Sequence, residues 1–160
     1  MEAVGPVEMV GHHPVDPEVN EDFPPRTSTL HIAVVIGIGG AIGALGRYAI
    51  SFGLPDLPGK FPIGTFIVNC TGSVVLGAIL TLLSADFPRH RSRAFLCTGV
   101  LGGYTTFSTL SVETLDLLRV HHVVGAFVYM GATVIAGLVS VVLGIGLARS
   151  AKSVVSRIVP

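Results

Sequence analysis

Two adjacent glycines followed by hydroxyl side chains form the segment of this chain best suited to chemistry. Gly102 and Gly103 precede Thr105, Thr106 and Ser108 within an otherwise apolar run. Each glycine weakens a helix by about 1 kcal/mol relative to alanine. If the helix unwinds there, the freed carbonyl oxygens have to be buried or to bind something. Oxygen dipoles of this kind suit a small cation.

Other polar side chains lie in apolar surroundings that would not need them for packing alone. Glu113 follows the glycines within the same run, and Asp116 lies at its end. Tyr129 and Thr133 are one helical turn apart and therefore share a face. The amide of Asn69 either joins helices or offers its NH2 group to a permeating ion, and both interpretations stay open. Together these residues predict a polar track.

Arg47 is the one arginine or lysine inside the first apolar run. An arginine at the centre of a bilayer costs about 2.5–3.5 kcal/mol, although one near a helix end can extend to the interface. Two interpretations follow: an interfacial anchor, or a fixed positive charge in an anion vestibule.

Four long apolar runs have to position these side chains. They are Leu30–Phe52, Phe61–Leu83, Ala94–Leu118 and Val123–Leu147. About 20 residues at a rise of 1.5 Å cross a hydrocarbon core, so each run can span it. The 160 residues are 50% hydrophobic, with a mean hydropathy of +0.74, and only 12% are charged, against about 25% in soluble domains. The sequence predicts an all-α integral membrane protein with four transmembrane helices, the third of which would be broken in mid-membrane if it unwinds at the glycines.

Small residues recur at helical spacing within the runs. Pairs such as Gly39 and Gly43, or Ser73 and Gly77, leave shallow grooves that let helices approach closely in lipid. Gly137 and Gly144 predict the same in the fourth run. Cys70 and Cys97 also lie inside the runs, and we interpret them as small buried apolar groups.

Charge divides the chain into three parts. Residues 1–29 carry a net charge of −5 and form an acidic tail that we predict to be disordered. Residues 30–148 form the membrane domain, and residues 149–160 form a short basic tail. The basic residues near the span ends are unequally divided between the two sides. One side has Arg26, Arg89, Arg91, Arg93, Arg149, Lys152 and Arg157, and the other has Arg47, Lys60 and Arg119. This asymmetry predicts cytoplasmic termini.

Several function classes lack support in the sequence. No basic cluster is large enough to be the footprint of a nucleic-acid-binding protein. No nucleophile–base pair or metal cluster typical of an enzyme is visible. A small proton-coupled exporter would want a carboxylate in the first run, which instead carries Arg47.

Three motifs carry a specific resemblance. They are GGAIGALGRY at residues 39–48, GTFIVNCTGS at 64–73 and TGVLGGYTTFST at 98–109. In order and spacing they resemble the Fluc (CrcB) family of fluoride channels. The resemblance runs from about residue 30 to 147 and covers all four runs.

The resemblance implies an antiparallel dimer with two pores that exports toxic fluoride passively across the plasma membrane. It also implies a structural sodium ion held by the backbone carbonyls of Gly102 and Thr105. Asn69 would be the pore amide, Phe107 the ring whose edge faces fluoride, and Arg47 a vestibule charge. The rest of the polar track would be Ser108, Thr109, Glu113, Tyr129 and Thr133.

Two features depart from the family pattern. Leu110 stands where a second phenylalanine is usual, and the charge asymmetry favours one orientation over the two that an antiparallel homodimer needs. Both suggest one half of a heterodimer with an oppositely oriented paralogous subunit. A homodimer and a non-conducting partner subunit are the alternatives.

Overall fold

A computed structural model describes residues 29–55, 57–83 and 90–158. The helices are α1 (Thr29–Gly53), α2 (Ile63–Leu82), α3 (residues 90–104), α4 (Phe107–Arg119) and α5 (Val123–Ile158). Helices α1, α2 and α5 are each long and apolar enough to cross a membrane. The third span is divided between α3 and α4, so the protein is an all-α membrane protein with four spans, as predicted.

The third span breaks two residues after the adjacent glycines. Gly102 and Gly103 remain helical, while Thr105 (ψ 155°) and Thr106 (φ −148°, ψ 123°) are extended, and α4 begins at Phe107. The break itself is confirmed, but unwinding at the glycines is wrong. Part of α3, Ala94–Leu101, is wound as a π-helix, a form that occurs mostly as single turns within α-helices.

Glycines let α1 and α3 touch through their backbones. A Cβ atom on Gly43 would lie 2.0 Å from the Val100 oxygen, and one on Gly103 would lie 2.3 Å from the Gly40 oxygen. No side chain fits at such distances. Gly103 therefore serves packing against α1, which explains why it stays in the helix.

A second glycine contact joins α2 to α5. A Cβ atom on Gly77 would lie 2.3 Å from the Val141 oxygen, and one on Gly144 would lie 2.0 Å from the Val74 oxygen. The predicted close packing of small residues is confirmed for both pairs of helices. These contacts make α1 with α3, and α2 with α5, two closely packed helix pairs.

Helix α5 is longer than the predicted fourth run. It has 36 residues and ends at Ile158 rather than near Leu147, and its length of about 54 Å exceeds the roughly 30 Å hydrocarbon core. Outside the apolar part, Lys152 Nζ donates to the Thr81 carbonyl oxygen over 2.9 Å. Residues 149–158 thus continue the helix, while residues 1–28 of the acidic tail lie outside the described residues.

Candidate functional site

Asn69 binds both backbone polar groups of Thr106 at the break. Its Oδ1 accepts from the Thr106 N–H over 2.9 Å, and its Nδ2 donates to the Thr106 oxygen over 3.0 Å. An extended residue inside a membrane leaves both groups in need of partners. Asn69 supplies both, so it holds the break in place from the middle of α2.

Two carbonyl oxygens are released at the break. In a continuous helix the Thr106 N–H would donate to Gly102, but here it donates to Asn69. The Thr109 N–H would donate to Thr105, but it donates to the Thr106 hydroxyl over 3.1 Å. Gly102 and Thr105 are the two residues that the resemblance assigns to sodium. Carbonyl oxygens that accept no helical hydrogen bond are ligands for a small cation, so these two residues fit a sodium ion.

A groove of about 420 Å³ lies beside the break, and we call it the mid-span groove. Its lining includes the polar and aromatic residues around the break, which are Asn69, Gly102, Thr105, Thr106, Phe107 and Thr133. The Phe107 side chain is 73% exposed, although it is a large aromatic residue in the middle of a span. The groove therefore brings the predicted amide, the ring and both carbonyl-bearing residues to one place.

The hydroxyl groups next to the groove bond mainly to one another and to backbone. Thr106 Oγ1 donates to Thr109 Oγ1 over 3.0 Å and lies 3.2 Å from Ser108 Oγ. The buried Thr133 hydroxyl donates to the Tyr129 carbonyl oxygen, a residue of its own helix, over 2.7 Å. Ser108 and Thr109 therefore cluster around Thr106, whereas the Thr133 hydroxyl hydrogen is used within its own helix.

Glu113 links three helices in the next stretch of the track. The Thr65 hydroxyl donates to Glu113 Oε1 over 2.8 Å, and the Tyr129 hydroxyl donates to Glu113 Oε2. Tyr129 is fully buried, and the Phe61 ring meets it edge-on at a centroid distance of 5.1 Å. Glu113 therefore joins α2, α4 and α5 through its two carboxyl oxygens.

Arg47 lies in a smaller cleft with two threonines of the track. This cleft of about 330 Å³, here the Arg47 cleft, is also lined by Tyr48, Thr65 and Thr109. Thr65 is bonded to Glu113, so the arginine borders the polar residues instead of standing apart from them. The polar groups thus run from the middle of the spans toward the end that carries the α1–α2 and α4–α5 connections.

Leu110 lines the mid-span groove beside Phe107, but its side chain is largely packed away. It is 3% exposed and clusters with Leu117, Ala126 and Tyr129 between α4 and α5. Its main role here is to pack the two helices together.

Sequence reasoning missed Thr65, and it placed Thr106 in the hydroxyl-rich segment without giving it a role of its own. Thr65 lies four residues before Asn69, and this spacing on α2 was the signal that could have found it. Thr106 stands next to Thr105 with the same side chain. Its extended backbone, which nothing local in the sequence specifies, makes it the residue that Asn69 binds.

A four-span helical membrane protein, with a broken third span and a polar track leading from the break, is the class defined by this fold and site. Over residues 34–145 the chain matches the family described as CrcB-like protein, Camphor Resistance (CrcB). The chain belongs to this family, and it is a multi-pass membrane protein. The prediction that it is not an enzyme is confirmed by this membership.

Relatives in three bacteria are similar over most of their length. "Fluoride-specific ion channel FluC 2" of Nocardia farcinica is 43% identical over 127 residues, which cover 79% of this chain and 91% of the relative. "Fluoride-specific ion channel FluC" of Chloroflexus aurantiacus is 41% identical, covering 72% and 94%. The protein of the same name in Desulfotalea psychrophila is 38% identical, covering 69% and 87%.

Proposed function

We propose that this chain forms a fluoride-selective channel that exports the ion passively across the plasma membrane and so reduces fluoride toxicity. The observation that carries the proposal is the mid-span groove, where Asn69 and the exposed Phe107 ring lie at the start of a polar track. The printed names of the relatives support fluoride as the ion.

Fluoride selectivity follows from replacing a tightly held hydration shell. A small anion needs hydrogen-bond donors at close range, and the edge of a phenyl ring is the positive end of its quadrupole. Asn69 Nδ2 has one acceptor, the Thr106 oxygen, among the described residues, which leaves its second hydrogen for the ion. Ser108, Thr109, Glu113, Tyr129 and Thr133 would continue the path, and Arg47 would draw anions to its vestibule.

A structural sodium ion would bind the carbonyls of Gly102 and Thr105. Two oxygens from one chain are too few for a cation in a membrane, so a second subunit has to supply more. The ion would add positive charge near the break in a medium of low dielectric constant, and it would hold two broken spans together.

The assembly that we propose is an antiparallel dimer with cytoplasmic termini on this chain. The charge asymmetry favours a heterodimer with an oppositely oriented paralogous subunit over a homodimer. Leu110 supports the same assignment, because it lines the mid-span groove without a ring and leaves Phe107 as the ring that α4 contributes there. A partner subunit would cover that ring.

Ion efflux from liposomes tests the proposal. The chain would be reconstituted alone and with an oppositely oriented paralogue, and fluoride and chloride would be followed with ion-selective electrodes. We expect fluoride efflux without chloride efflux in the conducting assembly. Phe107→Leu should reduce it at least tenfold, whereas Phe127→Leu, at another exposed ring (68% exposed), should not. Equal efflux of both ions would refute the proposal.

A non-conducting partner subunit is the second candidate, and the packed Leu110 side chain favours it. In that case the paralogue alone would set the fluoride flux. Phe107→Leu in this chain would then leave the flux of the coexpressed pair unchanged.

A further inference from the structure

The loop end of the molecule holds a second cleft that borders the polar track. It measures about 430 Å³, and we call it the loop-end cleft. Its charged lining residues are Lys60, Glu113, Asp116 and Arg119. The α1–α2 and α4–α5 connections meet here, since a Cβ atom on Gly59 would lie 3.5 Å from His122 Nε2.

The Thr65–Glu113 hydrogen bond separates this cleft from the Arg47 cleft. Thr65 lines the Arg47 cleft, Glu113 lines the loop-end cleft, and 2.8 Å separates their bonded oxygens. The polar track therefore has two openings at the same end of the molecule. Each opening contains a basic side chain, Arg47 in one and Lys60 in the other.

A carboxylate beside an anion path needs a cation to offset its repulsion. Arg119 does not fully offset the charge of Glu113, because its guanidinium pairs with Asp116 over 3.0 Å. Among the residues that the structure describes, the Lys60 ammonium has no acidic partner, and the residue is exposed. Among the described residues, Lys60 is therefore the basic side chain of this cleft that no carboxylate pairs with.

We propose that the loop-end cleft is a second mouth of the fluoride path and that Lys60 is its anion-collecting residue. This inference rests on the proposed fluoride conduction. The ligand is a small hydrated anion that Lys60 holds near the surface before it reaches Glu113, Thr65 and the mid-span groove. Arg47 serves the other mouth, so removing either charge slows fluoride without closing the path.

The potential in the cleft can be measured without any ion flux. Leu57→Cys introduces a thiol at an exposed residue that lines the cleft, and its rates with anionic and cationic methanethiosulfonate reagents are compared. A unit charge at about 7 Å in water changes each rate roughly threefold, in opposite directions. Adding Lys60→Gln should therefore lower the anionic-to-cationic rate ratio about fivefold or more.

Lys60→Arg and Arg149→Gln are the matched controls, and neither should change the ratio. The first keeps the charge, and the second removes an exposed charge at the opposite end of the molecule. About 1 M salt should abolish the Lys60→Gln effect, because the Debye length falls to about 3 Å. A rate ratio that does not respond to Lys60→Gln would overturn the inference.

Fluoride efflux at low ionic strength then tests whether the cleft is a mouth. Lys60→Glu should slow the initial efflux about threefold to tenfold, and high inert salt should restore most of it. If the Lys60 substitutions change the ratio of the reagent rates but leave fluoride efflux unchanged, the cleft does not lie on the fluoride path. If no assembly conducts fluoride at all, the proposed function fails, while the reagent ratio still reports separately on the cleft.

Discussion

At the scale of single residues, Asn69 joins structure and proposed function. Its amide binds both backbone groups of Thr106 and so releases the Gly102 carbonyl, while the Thr106 hydroxyl releases the Thr105 carbonyl by accepting from the Thr109 N–H. One side chain thereby fixes the break, prepares the proposed cation site and leaves a hydrogen for the anion. An amide can do this because it carries both a donor and an acceptor on one planar group.

Asn69→Asp should separate these contributions. The carboxylate can still accept from the Thr106 N–H, but it places an oxygen against the Thr106 carbonyl and a negative charge in the groove. We expect a loss of roughly 1–3 kcal/mol in the free energy of unfolding and loss of fluoride efflux. Thermal unfolding followed by circular dichroism, together with liposome efflux, checks both. Wild-type efflux from this variant would contradict the role of the amide.

At the scale of elements, glycine contacts decide how closely the helices pack. Gly37 and Gly43 both lie on α1, yet a Cβ atom meets nothing within 4 Å at Gly37 and lies 2.0 Å from the Val100 oxygen at Gly43. The two positions look alike in the sequence. Their difference depends on which face of α1 meets α3.

Alanine at these two glycines should therefore have opposite effects on stability. Gly43→Ala should force α1 away from α3 and cost at least about 2 kcal/mol of unfolding free energy. Gly37→Ala should gain up to about 1 kcal/mol, because alanine favours the helix. Thermal unfolding in detergent compares them, and equal effects would show that the α1–α3 contact is looser than described.

The end of α4 has a strained residue. His121 has a φ of 62°, in the left-handed region, and its N–H donates to the Leu118 oxygen while the His122 N–H donates to the Leu117 oxygen. This is the Schellman pattern, in which glycine is the favoured residue at the position of His121.

Replacing His121 with glycine should relieve that strain. We expect His121→Gly to raise the free energy of unfolding by about 1 kcal/mol. His122→Gly is the matched control and should give no gain, since positive φ is confined to His121 and Gly59 among the described residues. Chemical denaturation in detergent measures both variants, and a loss of stability in His121→Gly would refute the account.

At the scale of the whole molecule, the large exposed apolar side chains and the open mid-span groove suit a lipid environment and a partner subunit. If the proposed sodium ion joins two subunits, replacing sodium with N-methylglucamine throughout purification should lower the unfolding temperature and the dimer fraction. Thr105→Ala should show the same sodium dependence, because the proposed ligand is the backbone carbonyl. Size-exclusion chromatography with thermal unfolding measures both, and indifference to sodium would remove the ion from the proposal.

Orientation in the membrane distinguishes a homodimer from a heterodimer. Leu57→Cys and Ser150→Cys place thiols at exposed positions on opposite ends of the molecule. With cytoplasmic termini, an impermeant maleimide added to intact cells should label residue 57 and not residue 150, with the unsubstituted chain as the control. Substantial labelling at both positions would instead indicate the two orientations of a homodimer.

The amino-acid sequence by itself determined the spans, their number and the residue types on the polar track. Apolar runs of more than 20 residues have few alternatives to a membrane helix, and the three motifs with their spacing indicated the family. The helix ends were less well predicted, as α5 continues to Ile158. Polar residues beyond an apolar run can still extend a helix.

Only the tertiary structure decided where the third span breaks and which groups the break releases. Local propensity favours unwinding at Gly102 and Gly103, but Gly103 is held in the helix by its backbone contact with Gly40. The break falls at Thr105 and Thr106 because Asn69, 37 residues earlier in the chain, satisfies the Thr106 backbone. A partner that lies on another helix is not specified by local sequence, because the packing of the spans brings the two together.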